Sequence, residues 1–463
     1  MTRLLALVLA LSGQSTDWST HRGNAARTGS SDAQAGPAKP KVMWAHKSNE
    51  HFVASPVAAG DRLFLPALGA FNTASFHSVD LADTAAKRYP WTKTAPLFRA
   101  PSVCAPAVVE GKVVLGDGMH QTDGASLHCL RASDGRALWR LSVPGELVHI
   151  EGSPTVAGGR VYVGAGNAGV LCVDLNRVTL EGKEVTLAEA EAAIDKKWKD
   201  LLARFEEDKK KDPDFAIPPN EISLPQPAPK VWWQQGKGSL HVDGPTGVAD
   251  GKVLVGSAFL DKEKLGERAL LCLDAQDGKV LWKAPLKWNP WGGATVAGGR
   301  VLVSCSSIRY DPHAIPGAKG EIVAIKLADG SVEWRREIDG GVLGSVVAAG
   351  ELAVFTDTGG RVQALDSKSG EPKWSYSAGA AFFAGAAVSK DAAYAADLKG
   401  VVHAVELSNG KPAWKLDVAA AAGTPGMVYG SPVLHRGRLY LATCNLEGDS
   451  AGKPTVLLCI GSE

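Results

Sequence analysis

Three histidines stand at one position of a recurring phrase, and two of them are followed by a carboxylate two residues on. The segments are His51-Phe52-Val53-Ala54-Ser55, His149-Ile150-Glu151-Gly152-Ser153 and His241-Val242-Asp243-Gly244-Pro245. In an extended chain alternate side chains point the same way, so each imidazole shares a side with the carboxylate that follows it. Imidazole and carboxylate together suit a divalent metal or an anionic, hydrogen-bonding ligand. His51, His149, Glu151, His241 and Asp243 are therefore candidate ligand-binding residues, with Glu151 and Asp243 the candidate metal ligands. Arg309, in the loop Arg309-Tyr310-Asp311-Pro312-His313, adds a cation that could cover the same place. Trp291 adds an apolar wall, as do Trp288, Phe382, Phe383 and Tyr429 from equivalent segments. The competing reading is that these are solvated loop residues that happen to align. Asp117, His120 and Asn445 lie in neighbouring loops and read one by one as surface residues.

Other chemistries lack their residues. No Gly-x-Ser-x-Gly, phosphate-binding Gly-x-x-x-x-Gly-Lys-Ser/Thr or His-Glu-x-x-His pattern occurs, so acyl transfer, nucleotide hydrolysis and zinc proteolysis have no support, and no residue is assigned as catalytic. The net charge of +1 gives no overall field to attract nucleic acid. The seven cysteines form no Cys-x-x-Cys pair, and an odd count in an exported chain leaves at least one thiol unpaired.

The elements that must hold the candidate site repeat along the chain. Ser153-Pro154-Thr155-Val156-Ala157-Gly158-Gly159-Arg160-Val161-Tyr162-Val163 reads as strand, glycine turn, strand. Similar starts occur at Ser55, Ala105, Gly244, Gly293, Ser345, Gly385 and Ser431, which makes eight. Each phrase continues with a strand, an Asp/Asn/Ser-Gly turn and a strand bearing tryptophan, as in Cys272-Leu273-Asp274-Ala275-Gln276-Asp277-Gly278-Lys279-Val280-Leu281-Trp282. The glycine is needed because a tight hairpin demands positive φ. Trp44, Trp91, Trp139, Trp232 (or its neighbour Trp233), Trp282, Trp334, Trp374 and Trp414 count eight again. Four antiparallel strands per repeat make one propeller blade, so the fold class is all-β, an eight-bladed β-propeller. The last repeat lacks a tryptophan strand and Lys41–Ala45 precedes the first, so the N-terminal strand is expected to complete the final blade and close the ring.

The cysteines follow the same register. Cys129, Cys172, Cys272 and Cys459 occupy the slot held elsewhere by Ser78, Ala324, Ala364 and Ala404, where a small side chain packs inside the sheet. Cys104, Cys305 and Cys444 fall outside that slot.

In domain terms, residues 1–13 read as a signal peptide, with Arg3 before the apolar run Leu4–Leu11. Gln14 stands where a lipidated cysteine would be needed, so an exported, periplasmic or extracellular protein without a lipid anchor is expected. Residues 14–39 form a leader and residues 40–463 the propeller, interrupted at 178–230 by an insertion. There Thr186-Leu187-Ala188-Glu189 is a capping box that starts a helix, with Ile194, Trp198, Leu201 and Phe205 on one face. That helix either packs on the propeller edge or serves as a partner-docking arm. Five further insertions, at 66–75, 116–126, 256–268, 304–321 and 442–453, are expected on the face that carries the blade-to-blade connectors.

The in-register Asp-x-x-x-Gly-x-x-x-Trp phrase resembles the PQQ-like (pyrroloquinoline-quinone-like) repeat family over residues 40–463, and Trp18–Gly29 resembles the leader that precedes such propellers. In the first repeat Asp83-Thr84 departs from the motif, lacking the turn glycine. The resemblance implies one of two functions. The first is a non-catalytic binding or scaffolding propeller, similar to an outer-membrane assembly lipoprotein, meeting a protein partner or small ligand on the long-loop face as a monomer. The second is a PQQ- and Ca²⁺-dependent dehydrogenase with its ligand on the axis. Quinoprotein alcohol dehydrogenases carry an adjacent cysteine pair against the quinone, and this chain has none. The residues favour the first.

Overall fold

The computed structural model describes residues 17–31, 34–82, 88–120, 122, 124–143 and 145–462. The expected signal peptide and the Asp83-Thr84 turn lie outside them. Eight sheets follow one another along the chain, and each contains four antiparallel strands in simple meander order. Blade one comprises Val57–Ala59, Arg62–Leu68, Ala74–Asp80 and Trp91–Thr94. Blades two to seven repeat this plan at 107–141, 155–235, 247–285, 294–338, 347–377 and 387–417. Blade eight takes three strands from the end of the chain and its outermost from the beginning: Pro40–Ser48 pairs antiparallel with Thr455–Ser462. The ring is thus closed by the N-terminal strand, as the unpaired repeat halves required.

One clasp joins successive blades. In every blade the tryptophan lies opposite the small-residue slot: Trp91 with Ser78, Trp139 with Cys129, Trp233 with Cys172, Trp282 with Cys272, Trp334 with Ala324, Trp374 with Ala364, Trp414 with Ala404 and Trp44 with Cys459. A large ring beside a small neighbour can lean out of its own blade and reach the next. Trp282 Nε1 donates to the Leu327 carbonyl at 3.1 Å, and the Trp282 ring lies over Gly330, whose added Cβ would come within 2.7 Å of it. Trp91, Trp233, Trp334 and Trp374 meet Gly135, Gly278, Gly370 and Gly410 in the same way. The turn glycine therefore answers two demands, positive φ and contact with the preceding blade's tryptophan. In blade three the wedge is Trp233; Trp232 is 37% exposed, stacks under Arg160 and Lys230, and donates to Asp174. Trp232 is thus corrected to Trp233. Alternation sends the two neighbours to opposite faces, and the register with Cys172 decides which one packs inward.

The leader supplies the axis. Backbone amides at one position of six innermost strands would otherwise face an empty channel. Those of Ala58, Val108, Val248, Val296, Ala348 and Val388 donate to the carbonyls of Trp18, Ser19, Ala25, Ala26, Thr28 and Gly29. Fully buried Arg27 serves blade three, donating to the carbonyls of Ser153 and Pro154 as well as to that of Thr246 in blade four. The propeller's inner edges are in this way satisfied by its own chain.

The insertion in blade three carries the helix Leu187–Lys211, and its capping box is formed between Thr186 and Glu189. Ile194 is buried, and Arg136 lies 4.6 Å over the Trp198 ring. Arg131 binds Glu191 and Asp195, so at least the first half of the helix is held against blade two. Among the described residues no helix is long and apolar enough to cross a membrane. All seven cysteines are free and buried.

Candidate functional site

All eight blade-to-blade connectors and four of the five long loops meet around a cavity of about 330 Å³ on the axis. Trp291, Phe383, Tyr429 and Tyr310 supply its aromatic walls, with Glu151, Asp243, Arg309 and Glu447 as charged groups. Tyr310 packs edge-on against Phe383 and donates to the Leu343 carbonyl at 3.2 Å, which fixes the Arg309–His313 loop over the mouth. The Arg309 guanidinium stacks 4.8 Å from the Trp291 ring. His313 is exposed. Trp288 and Phe382 do not reach the cavity; Phe382 is buried in the blade six–seven core against His403.

On one side of this mouth the expected histidines do converge. His149 Nε2 lies 3.1 Å from Asp243 Oδ1, and His241 Nε2 lies 2.7 Å from Asp243 Oδ2. Their ring centroids are 5.4 Å apart, and His120 stands edge-on to both at 5.1 and 5.6 Å. His149 and His241 belong to neighbouring connectors, an eighth of a turn apart, which is why one carboxylate reaches both. His51 occupies the equivalent place on a distant blade, where its Nδ1 accepts the Asn445 backbone N–H at 3.0 Å. Alignment along the sequence thus gave three equal positions, and the ring brings two of them together.

Glu151 faces the same region but is engaged differently: its carboxylate accepts the His120 backbone N–H at 2.6 Å and so holds the loop that presents that imidazole. Glu263 approaches His120 Nε2 to 3.5 Å. Burial works against charge on Asp243 and His149, yet the hydrogen bonds joining Asp243 to both imidazoles prevail. They hold its carboxyl well below the usual carboxylate range and raise His149. Burial, then the charge of Asp243, pushes Glu151 up.

His120 is the residue that single-site reading missed; it reads as surface in isolation, and only the length and path of its loop bring it to the cluster. Asp117 and Asn445, read the same way, are buried and structural. Asp117 lies 2.7 Å from His128 within blade two, and the Asn445 side-chain amide donates to the carbonyls of Pro425, Lys453 and Pro454.

The leader adds a second unforeseen group. His21 lines the cavity, and its Nδ1 is buried without a hydrogen-bond partner among the described residues. Its neighbour Arg22 is 1% exposed, and none of its three side-chain nitrogens has a hydrogen-bond partner among the described residues. Its Nη1 sits 3.3 Å from where a Cβ on cavity-lining Gly385 would lie. Burial lowers the Arg22 guanidinium only to about 10, so it stays cationic at neutral pH. Sequence resemblance marked this segment as a leader, but nothing in its local pattern shows that it winds round the inside of the ring.

No curated protein sequence matches the chain. Solved structures of the same fold include BamB from Moraxella catarrhalis, at 13% identity and a TM-score of 0.56 over 90% of this chain and 97% of that one. A europium-containing methanol dehydrogenase aligns at 13% identity and 0.65 over 97% and 98%. Quinohemoprotein alcohol dehydrogenase from Comamonas testosteroni aligns at 15% and 0.63 over 98% and 82%. At such identities these likenesses speak for the fold alone. The family profile described as outer membrane protein assembly factor BamB matches residues 32–198, 223–311 and 311–450, and with the eight four-stranded blades this places the chain in that family of PQQ-like repeat propellers.

Proposed function

We propose that the chain is an exported, non-catalytic binding propeller whose axial cavity takes a small anionic ligand with an apolar or aromatic body. The observation that carries this reading is Arg22, a buried cation beside the cavity with no hydrogen-bond partner among the described residues. A buried charge is costly unless something of opposite sign meets it. The unpartnered His21 Nδ1 and the Arg309 side chain add donors, and Trp291, Phe383 and Tyr429 add walls. The scaffolding role of a BamB-like relative would use the same long-loop face.

The dehydrogenase reading fits these residues less well. A Ca²⁺ ion takes about six to eight oxygen donors. The cluster at this mouth instead offers three imidazoles and one carboxylate. The cysteines, each buried apart in its own strand or loop, provide no disulfide against a quinone.

The test is thermal stabilisation of the purified protein by benzoate, phthalate and PQQ, each with and without Ca²⁺, alongside Arg22→Met and Arg309→Ala. Saturable stabilisation by a carboxylate probe that is lost in Arg22→Met is the expected result. Equal responses in wild type and Arg22→Met, or none to any probe, would remove the reading. Alcohol oxidation dependent on PQQ and Ca²⁺ would establish the dehydrogenase instead.

A further inference from the structure

We propose that His120, His149, His241 and Asp243 bind one divalent transition ion of the zinc class at the wall of the axial cavity. Their donor atoms all lie within 4.8 Å of one another. A tetrahedral zinc ion with bonds of about 2.0–2.1 Å sets neighbouring donors about 3.3 Å apart. Asp243 already faces both imidazoles, with Oδ1 3.1 Å from His149 Nε2 and Oδ2 2.7 Å from His241 Nε2. His120 is the exposed member and needs only a side-chain movement to complete the set.

The outer hydrogen bonds of the cluster suit the same ion. His241 Nδ1 lies 2.8 Å from Asn167 Oδ1, so Nδ1–H is the donor in that pair. Its Nε2 faces a carboxylate oxygen at 2.7 Å, a contact that either a proton on Nε2 or a metal ion fills. His149 aims its own Nε2 at the other oxygen of the same carboxylate. One divalent ion resolves both contacts, and Asn167 becomes the outer partner that fixes the ring of a metal-bound histidine. The backbone makes room for this: a Cβ on Gly166 would fall 2.1 Å from His149 Nε2, and Gly166 has φ +52. Glu151, through the His120 backbone N–H, positions the fourth donor. Nitrogen-rich donors select zinc, copper or nickel over calcium and magnesium.

The site needs no small ligand, so its test is separate from that of the cavity. Protein stripped with EDTA is titrated with Zn²⁺ by calorimetry, and with Co²⁺ while the visible absorption of four-coordinate cobalt is followed. One equivalent is expected to bind, with millimolar Ca²⁺ unable to compete. His120→Ala, Asp243→Asn and Asn167→Ala should each weaken binding by about tenfold or more. Circular dichroism of the metal-free proteins checks that each variant folds; His120 is exposed, so its variant carries the test if the buried ones do not. Absence of saturable one-to-one binding, equal affinity in His120→Ala and wild type, or displacement by Ca²⁺ would overturn the proposal.

Discussion

Replacing Gly330 by alanine isolates the blade clasp. Two costs arise at that position. The residue has φ +77, and an L-residue in that region costs about 1–2 kcal/mol. The new Cβ would also stand 2.7 Å from the Trp282 ring, an overlap that, relieved by local shifts, costs about 1–3 kcal/mol. Together Gly330→Ala should destabilise by roughly 2–5 kcal/mol. Gly350 is the control, since it has φ +57 with nothing within 4 Å of its added Cβ. Gly350→Ala should therefore cost about 1–2 kcal/mol, and the entropy lost by the unfolded chain is common to both variants. Trp282→Ala alone removes a buried ring and its hydrogen bond, at roughly 3–5 kcal/mol. In that background the overlap is gone, and Gly330→Ala should again cost only about 1–2 kcal/mol. Urea unfolding followed by circular dichroism reads all four variants. Equal costs for Gly330→Ala and Gly350→Ala, or an additive cycle with Trp282→Ala, would refute the claim that the glycine serves the neighbouring blade.

Arg27→Ala should cost roughly 3 kcal/mol or more in the same assay, because the carbonyls of Ser153, Pro154 and Thr246 lose a buried donor. Glu50 predicts a pH effect. Burial pushes its carboxyl up, but the hydrogen bond and charge of His77, with the Ser75 hydroxyl, outweigh that and hold it below its ordinary value of 4.5. A lowered folded pKa gives stability that is present above 4.5 and lost as pH falls through the folded value. Glu50→Gln should therefore flatten the acid limb of a melting-temperature-against-pH profile, and an unchanged slope would count against the pair. Arg131→Ala should cost about 1 kcal/mol at low salt. It should also speed tryptic cleavage within the helix Leu187–Lys211, read by mass spectrometry, because Arg131 ties Glu191 and Asp195 to blade two.

Legibility followed locality. The strand–turn–strand phrase, the turn glycine and the small slot opposite each tryptophan are short-range features repeated in register, so the blade count and the ring closure could be read directly. The choice between Trp232 and Trp233 could not, because both flank the same bond and only pairing with Cys172 separates them. The site was half legible. His149 and His241 shared a position on adjacent repeats, whereas His51 shared it on a distant one. His120 and Arg22 were invisible as site residues because their placement depends on a loop path and on a leader that winds round the inside of the ring, neither of which has a periodic signal.

The ring closure also sets an order of events. Pro40–Ser48 finds its partner only in Thr455–Ser462, and the leader before it bonds to six blades from first to seventh. Pro40–Ser48 must therefore wait, unpaired, until almost all of the chain is present, and the leader completes its bonds only when blade seven is made. Such long-range closure is slow compared with the hairpins within each blade. A nascent chain would accumulate finished hairpins around an unfilled axis, with an uncovered apolar blade face at either end of the arc. That arc is the species most exposed to aggregation. Arrival of the last strand then seals the circle and the axis together, so losing a few residues from Thr455–Ser462 would undo far more structure than their number suggests.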